Sequence, residues 1–156
     1  MTRLHERIET TLPIEAAFDY VADFANAQEW DPGVATARRV DHGPVAIGAR
    51  YDLGVRIGGR VAPMEYRITD LDRPRRVVLV GAGSNVQAVD DIRFERSGDG
   101  TVIDYTADIR LGGLLRFVQP FLGGSFAKVA REAAGGMGRT LAARAADAAR
   151  TDEGIA

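Results

Sequence analysis

The spacing of apolar positions changes twice along the chain, and each change marks a change of element. Residues 3–12 place Leu4, Ile8 and Leu12 on one side and charges on the other, which predicts a first strand. Pro13 stops it. The run from Pro13 to Asp23 then predicts a short helix, with Thr11 or Leu12 near its N-cap, Pro13 at or near the first helical position, and Ile14, Phe18 and Val21 facing inward. A second helical turn over 24–30 ends at the turn signal Asp31-Pro32-Gly33. From Val34 the period becomes two, predicting strands at 34–41, 49–57, 60–71, 76–81, 86–96 and 101–110. The links are legible as turns: His42-Gly43-Pro44, Gly58-Gly59, Asp72-Arg73-Pro74, Gly83-Ser84-Asn85 and Ser97-Gly98-Asp99-Gly100. Short links join antiparallel neighbours, so strands two to seven form a meander.

At Leu111 the period changes to steps of three and four. Leu111, Leu115, Val118, Leu122, Phe126, Val129, Ala133, Met137 and Leu141 share one helical face, which predicts a single kinked helix over 111–150. Pro120 and Gly123-Gly124 set the kink, and a gate there would let the front of the helix swing. Gly135, Gly136 and Gly138 are read equally in two ways, as small residues that leave space for a ligand or let the sheet come close, and as a simple bend. Residues 151–156 read as a disordered tail. Strand parity points Tyr51, Leu53, Val55 and Ile57 toward this helix, with Met64, Tyr66, Ile68, Ile92, Phe94, Ile103, Tyr105, Ala107 and Ile109. The opposite parity carries Asp52, Arg56, Glu65, Arg67, Asp91, Arg93, Glu95, Asp104 and Asp108, a solvated charged face. The predicted fold is α+β: a seven-stranded curved antiparallel sheet wrapped around a long C-terminal helix, with two short helices after the first strand, in one domain over 1–150.

Composition narrows the chemistry mainly by exclusion. At 156 residues the chain is one domain's worth. It has no cysteine, which removes disulfides, thiol nucleophiles and thiolate metal sites. Twenty basic residues balance 22 acidic ones at a net charge of -2, so no field steers it to nucleic acid or to an anionic membrane. No run approaches the length of a membrane span or a signal peptide, and a cytoplasmic location is the expectation. His5 and His42 stand apart, so neither a metal site nor a histidine-based triad is expected, and no cofactor is implied.

The candidate chemistry lies on the inward parity. Asp90 shares its face with Ala88, Ile92 and Phe94, and a carboxyl facing an apolar cavity is pushed toward its neutral form, where it can act as acid or base. Tyr51, Tyr66 and Tyr105 present three phenols from three strands to the same space. Arg38 has the parity of Val34, Thr36 and Val40, and on that register it reaches inward to bind a carboxylate or polarise a carbonyl. Trp30 is expected at the cavity mouth. Leu53, Met64, Phe94, Phe117, Phe121, Phe126, Val129, Ala133 and Met137 complete the expected ligand-contacting lining.

The order of elements, strand, two short helices, six-stranded meander and long helix, is that of the helix-grip fold. Pro13-Ile-Glu-Ala-Ala-Phe-Asp-Tyr-Val-Ala-Asp-Phe-Ala-Asn-Ala-Gln-Glu-Trp-Asp-Pro, Gly48-Ala-Arg-Tyr, Tyr66-Arg-Ile-Thr with Pro74-Arg-Arg-Val, and Ile92-Arg-Phe-Glu before Gly100-Thr-Val-Ile-Asp-Tyr resemble the polyketide cyclase/dehydrase branch of the START-related (SRPBCC) superfamily. The resemblance covers nearly the whole chain, and none of its motifs is catalytic. It implies a mostly apolar cavity between sheet and helix that takes lipids, polyketides, sterols or similar molecules. Three functions follow as alternatives: a binding protein for a small hydrophobic molecule; a cyclase or dehydratase in which Asp90, with Tyr66 or Arg38, moves protons; and an interaction module without turnover. The sequence leaves the oligomeric state open.

Overall fold

The computed structural model describes residues 1–155. Its elements are β1 (Thr2–Thr10), α1 (Ile14–Ala22), a 3-10 turn (Phe24–Asn26), α2 (Ala27–Trp30), and the strands β2 (Val34–Arg39), β3 (Arg50–Ile57), β4 (Arg60–Asp72), β5 (Arg76–Ala82), β6 (Val86–Ser97) and β7 (Gly100–Leu111). Two more 3-10 turns, Gly113–Phe117 and Gln119–Phe121, lead into α3 (Gly123–Ile155). The seven strands form one antiparallel sheet in the order β1-β7-β6-β5-β4-β3-β2. β1 forms one edge of this open sheet, with β2 at the other, and pairs with β7 along its whole length from Thr2 opposite Ile109 to Thr10 opposite Thr101. The curled sheet and long C-terminal helix are the grip expected from the sequence.

The short helices close one end of the sheet. Pro13 sits at the N-cap of α1, one residue earlier in the helix frame than expected. Thr101 Oγ1 donates to the Leu12 carbonyl at 2.8 Å, which ties that turn to β7. The inner face of α1 then packs on the sheet, with Phe18 set edge-on to Phe94 at 5.1 Å. Tyr20 OH donates to Glu29 at 2.5 Å and carries the Arg144 guanidinium 4.1 Å above its ring, which joins α1, α2 and α3.

Two departures from the sequence pattern have clear causes. The long helix begins at Gly123, not at residue 111. Leu111 is the last residue of β7, and the chain then makes two tight turns closed by Val118 N–H to Leu115 O and Leu122 N–H to Gln119 O. Pro120 has no N–H to give an α-helix there, and Gln119 offers the strand end a better partner. Its buried side chain accepts from Leu111 N–H at 3.0 Å and donates to Ile109 O at 2.7 Å and to Thr2 Oγ1 at 3.0 Å. Leu115 and Val118, expected on the buried stripe, and Phe117 and Phe121, expected in the ligand-contacting lining, are therefore exposed. At the other end, α3 runs on through Ile155 across residues expected to be a disordered tail; Ala156 lies outside the described residues.

The second departure is in β2. The register slips between Val34 and Thr36, so one extra residue reverses which side chains face in. Arg38 points out and pairs with Asp52 at 3.0 Å, while Arg39 turns toward the core, bonding Asp41 at 2.6 Å and lying over the Tyr51 ring at 5.5 Å. The outer face is otherwise the charged surface expected, stitched by pairs such as Arg3 with Asp108 and Arg76 with Asp91.

α3 lies closest to β1 and α2. It stands off the middle of the sheet, and the space left there is the candidate site.

Candidate ligand cavity

Small residues on one face of α3 leave the space. Ala130, Ala133 and Ala134, with Val129 and Met137, form its helical wall, while β1 supplies Leu4, Glu6 and Ile8. Gly136 brings the helix down at one end: a Cβ there would lie 2.0 Å from the Trp30 carbonyl oxygen, so only glycine permits this approach. Opposite the helix stand Tyr66 of β4, Ala88 and Asp90 of β6, and Tyr105, Ala107 and Ile109 of β7. Trp30, Asp31 and Gly33 close one side, and Val55 and Arg56 of β3 reach the rim. The cavity measures about 140 Å³, close to the roughly 150 Å³ of an apolar cavity that holds one benzene ring.

Cross-strand packing places the aromatic wall. Tyr66 pairs with Gly81, and its ring lies across that residue, where a Cβ would come within 2.5 Å of it. The glycine thus lets the ring sit against the sheet and keeps the cavity open. Trp30 meets Tyr105 edge-on with centroids 6.0 Å apart.

Asp90 is the central polar group. Its residue is 6 % exposed, and Tyr105 OH donates to Oδ1 at 2.9 Å, while the buried Oδ2 has no hydrogen-bond partner. Burial pushes its carboxyl up to about 7; the Tyr105 bond works against that rise, and the charges of Asp31 and Asp108 add to it. Asp31 is pushed up to about 6, again by burial, against the 2.7 Å bond it accepts from Gly33 N–H. Burial and then the neighbouring Asp90 raise both Tyr66 and Tyr105 well above the usual phenol range. The Trp30 indole N–H is a second buried group without a partner. A carboxyl near neutrality beside two phenols can hold a polar ligand group or exchange a proton with it.

Of the residues expected at the site, Trp30, Tyr66, Asp90, Tyr105, Val129, Ala133 and Met137 line the cavity. Tyr51, Leu53, Met64 and Phe94 are buried in the core away from it, and Tyr51 OH lacks a partner there. Phe126 packs half-buried against the core without reaching the cavity. Phe117 and Phe121, 62 % and 84 % exposed, are outside it, and Arg38 is on the opposite face of the sheet. Glu6 and Asp31 were missed. Glu6 shares the parity of Leu4 and Ile8, so its inward position was readable; Asp31 was hidden in a turn motif.

A family profile described as polyketide cyclase / dehydrase and lipid transport matches residues 1–149. The chain belongs to that family. No curated protein matches it. Among solved structures, a START superfamily protein from Mycobacterium smegmatis superposes with a TM-score of 0.76 at 12% identity, covering 90% of this chain and 97% of that one. A hypothetical protein from Helicobacter pylori superposes at 0.71 with 8% identity, covering 89% and 87%. A protein from Chromobacterium violaceum superposes at 0.67 with 9% identity, covering 90% and 96%. At such identities the likeness is one of fold. For this member of the polyketide cyclase/dehydrase and lipid transport family, the cavity between sheet and helix is the feature that the fold and the residues emphasise together. Among the described residues no helix is long and apolar enough to cross a membrane.

Proposed function

We propose that this protein binds a small, largely apolar molecule carrying one polar group, held between α3 and the sheet with that group at Asp90. The observation that carries the reading is the Asp90 carboxyl, buried in the wall of a cavity of about 140 Å³ with Oδ2 unpartnered. A buried polar atom without a partner costs free energy, and a ligand that supplies the partner recovers it. The volume suits one ring or a short chain; a longer lipid or polyketide needs the front of α3 to move outward. Titration with toluene and benzyl alcohol, followed by amide chemical shifts, tests this. Saturable shifts should appear on α3 and on β6 and β7, and Ala133→Trp, which fills the cavity, should abolish them while the protein still melts cooperatively. Absence of saturable shifts, or shifts indifferent to Ala133→Trp, would sink the reading.

A second reading is proton transfer to a bound poly-β-ketone. It is favoured by the Asp90–Tyr105 hydrogen bond, with Tyr66 on the same cavity and Asp90 poised near neutrality. Under it, Asp90→Asn removes turnover of such a substrate and leaves its affinity within a few-fold. Equal turnover by the variant would exclude Asp90 as the acid or base.

A further inference from the structure

The charged groups around the cavity do not balance. Three carboxyls line it: Glu6 on β1, Asp31 in the turn after α2, and Asp90 on β6. One guanidinium, Arg56, reaches the rim, and it donates to the Pro32 carbonyl at 2.8 Å. The cavity-lining residues of α3 are apolar. On the outer surface many acids pair with arginine, among them Asp108 with Arg3, Asp19 with Arg73, Glu15 with Arg96, and Asp70 and Asp91 with Arg76. Among the described residues, none of the three cavity carboxyls has an ion-pair partner. A chain with 20 basic residues thus leaves three acids without counterions around this cavity.

Among the aliphatic residues of the remaining wall stand three aromatics, Trp30, Tyr66 and Tyr105. Ring faces beside carboxyls are the surroundings that attract an ammonium group. Among the described residues, no three acidic or imidazole side chains converge closely enough to share a metal ion. The negative charge is instead distributed around a ring-sized volume, and a diffuse organic cation matches that distribution better than a point charge.

We infer that the cavity selects a small organic cation, an ammonium group on a single ring or short apolar chain, with the charge set against Asp90 and flanked by Asp31 and Glu6. The inference rests on the reading that the cavity binds a ligand at all. Tyr105 OH already occupies Oδ1 of Asp90, so the orphaned Oδ2 is the atom left for the ammonium N–H. Burial holds Asp90 and Asp31 partly protonated near neutral pH, and an arriving cation favours their ionised forms. Binding therefore releases protons. The charged and titratable groups facing Asp90 in this exchange are Glu6, Asp31, Arg56, Tyr66 and Tyr105, with Asp108 behind it on the sheet.

Calorimetric titration of the whole chain at pH 7 with benzylamine, benzyl alcohol, benzoate and toluene, in two buffers of different protonation enthalpy, tests this. Benzylamine should bind at least tenfold more tightly than benzyl alcohol, benzoate should bind weakest, and the heat of benzylamine binding should depend on the buffer. Asp90→Asn should erase the preference for the amine, and Glu6→Gln, at the cavity edge, should reduce it severalfold. Benzyl alcohol or toluene binding as tightly as benzylamine in the unaltered protein overturns the cation inference and leaves the ligand reading standing. An amine preference that survives both substitutions also overturns it. If none of the four binds, both fail together.

Discussion

Burying Asp90 behind Tyr105 ties stability to pH with a definite sign. Its folded-state pKa of about 7 lies above the ordinary value of 3.8, so the folded protein holds this proton more tightly than the unfolded chain. The contribution is therefore complete below the ordinary carboxylate range and is lost as pH rises through about 7. Asp31 acts in the same direction up to about 6. Asp19, Asp91 and Asp108, held below the ordinary range chiefly by hydrogen bonds from arginines, act oppositely and matter as pH falls below about 4. Unfolding free energy should thus decline between pH 4 and 7 by up to about 1.4 kcal/mol per pH unit for each such proton. Asp90→Asn should flatten that decline and leave the protein more stable than the parent at pH 8 in urea titrations. A parent profile that is flat or rising over the same range would refute it. Gly81→Ala belongs to this scale too: its Cβ would meet the Tyr66 ring at 2.5 Å and push it toward the cavity. We expect a cost of about 1–3 kcal/mol and loss of toluene binding, both read from thermal melts with and without toluene.

At the level of elements, α3 carries two adjacent glycines with opposite constraints. At Gly135 an added Cβ would meet only the flexible end of Arg139, at 3.3 Å, whereas at Gly136 it would strike the Trp30 backbone. Gly135→Ala should therefore stabilise by up to about 1 kcal/mol through helix propensity. Gly136→Ala should destabilise by about 1–3 kcal/mol through overpacking. Chemical denaturation of the two variants checks the pair, and equal effects would show that the helix does not seat on α2 through this contact. The helix from Phe126 to Leu141 was legible from its period. Its start was not, because Leu111, Leu115 and Val118 continue the three-four spacing although Leu111 is strand and the other two lie in and beside 3-10 turns. Gln119, a single polar residue inside that stretch, decides the matter by satisfying Leu111 N–H and Ile109 O at the end of β7. Gln119→Leu should raise amide exchange across 111–122 at least tenfold while leaving β4 to β6 protected; unchanged exchange there would remove the latch.

On the scale of the whole molecule, opening and ligand size are linked. The cavity lies between a sheet knit by continuous antiparallel pairing and a helix seated firmly only on β1 and α2. The cheapest way to enlarge it is to lift the front of α3, where Phe126 is only half-buried, as is Leu122 just before the helix, and the wall residue Val129 is partly exposed. Ligands longer than a ring should bind more slowly than toluene and should increase, rather than suppress, exchange over residues 123–129. Stopped-flow binding of n-alkylamines of increasing length checks this, and rates independent of length would mean that the helix does not gate access.

The sequence by itself determined the periodicities, and through them the seven strands, the two short helices, the body of the long helix and the inward positions of Tyr66, Asp90 and Tyr105. These follow from local geometry, since successive side chains alternate on a strand and recur every three to four residues on a helix. Only the tertiary structure decided which inward residues share one cavity. It separated Tyr51, Leu53, Met64 and Phe94 into the core, turned Arg38 outward through the slip in β2, and gathered Glu6, Asp31 and Asp90 from distant parts of the chain. Those outcomes depend on the curl of the sheet, on where Gly136 lets the helix touch α2, and on a one-residue shift of register. Each is a long-range packing event that leaves no period in the chain.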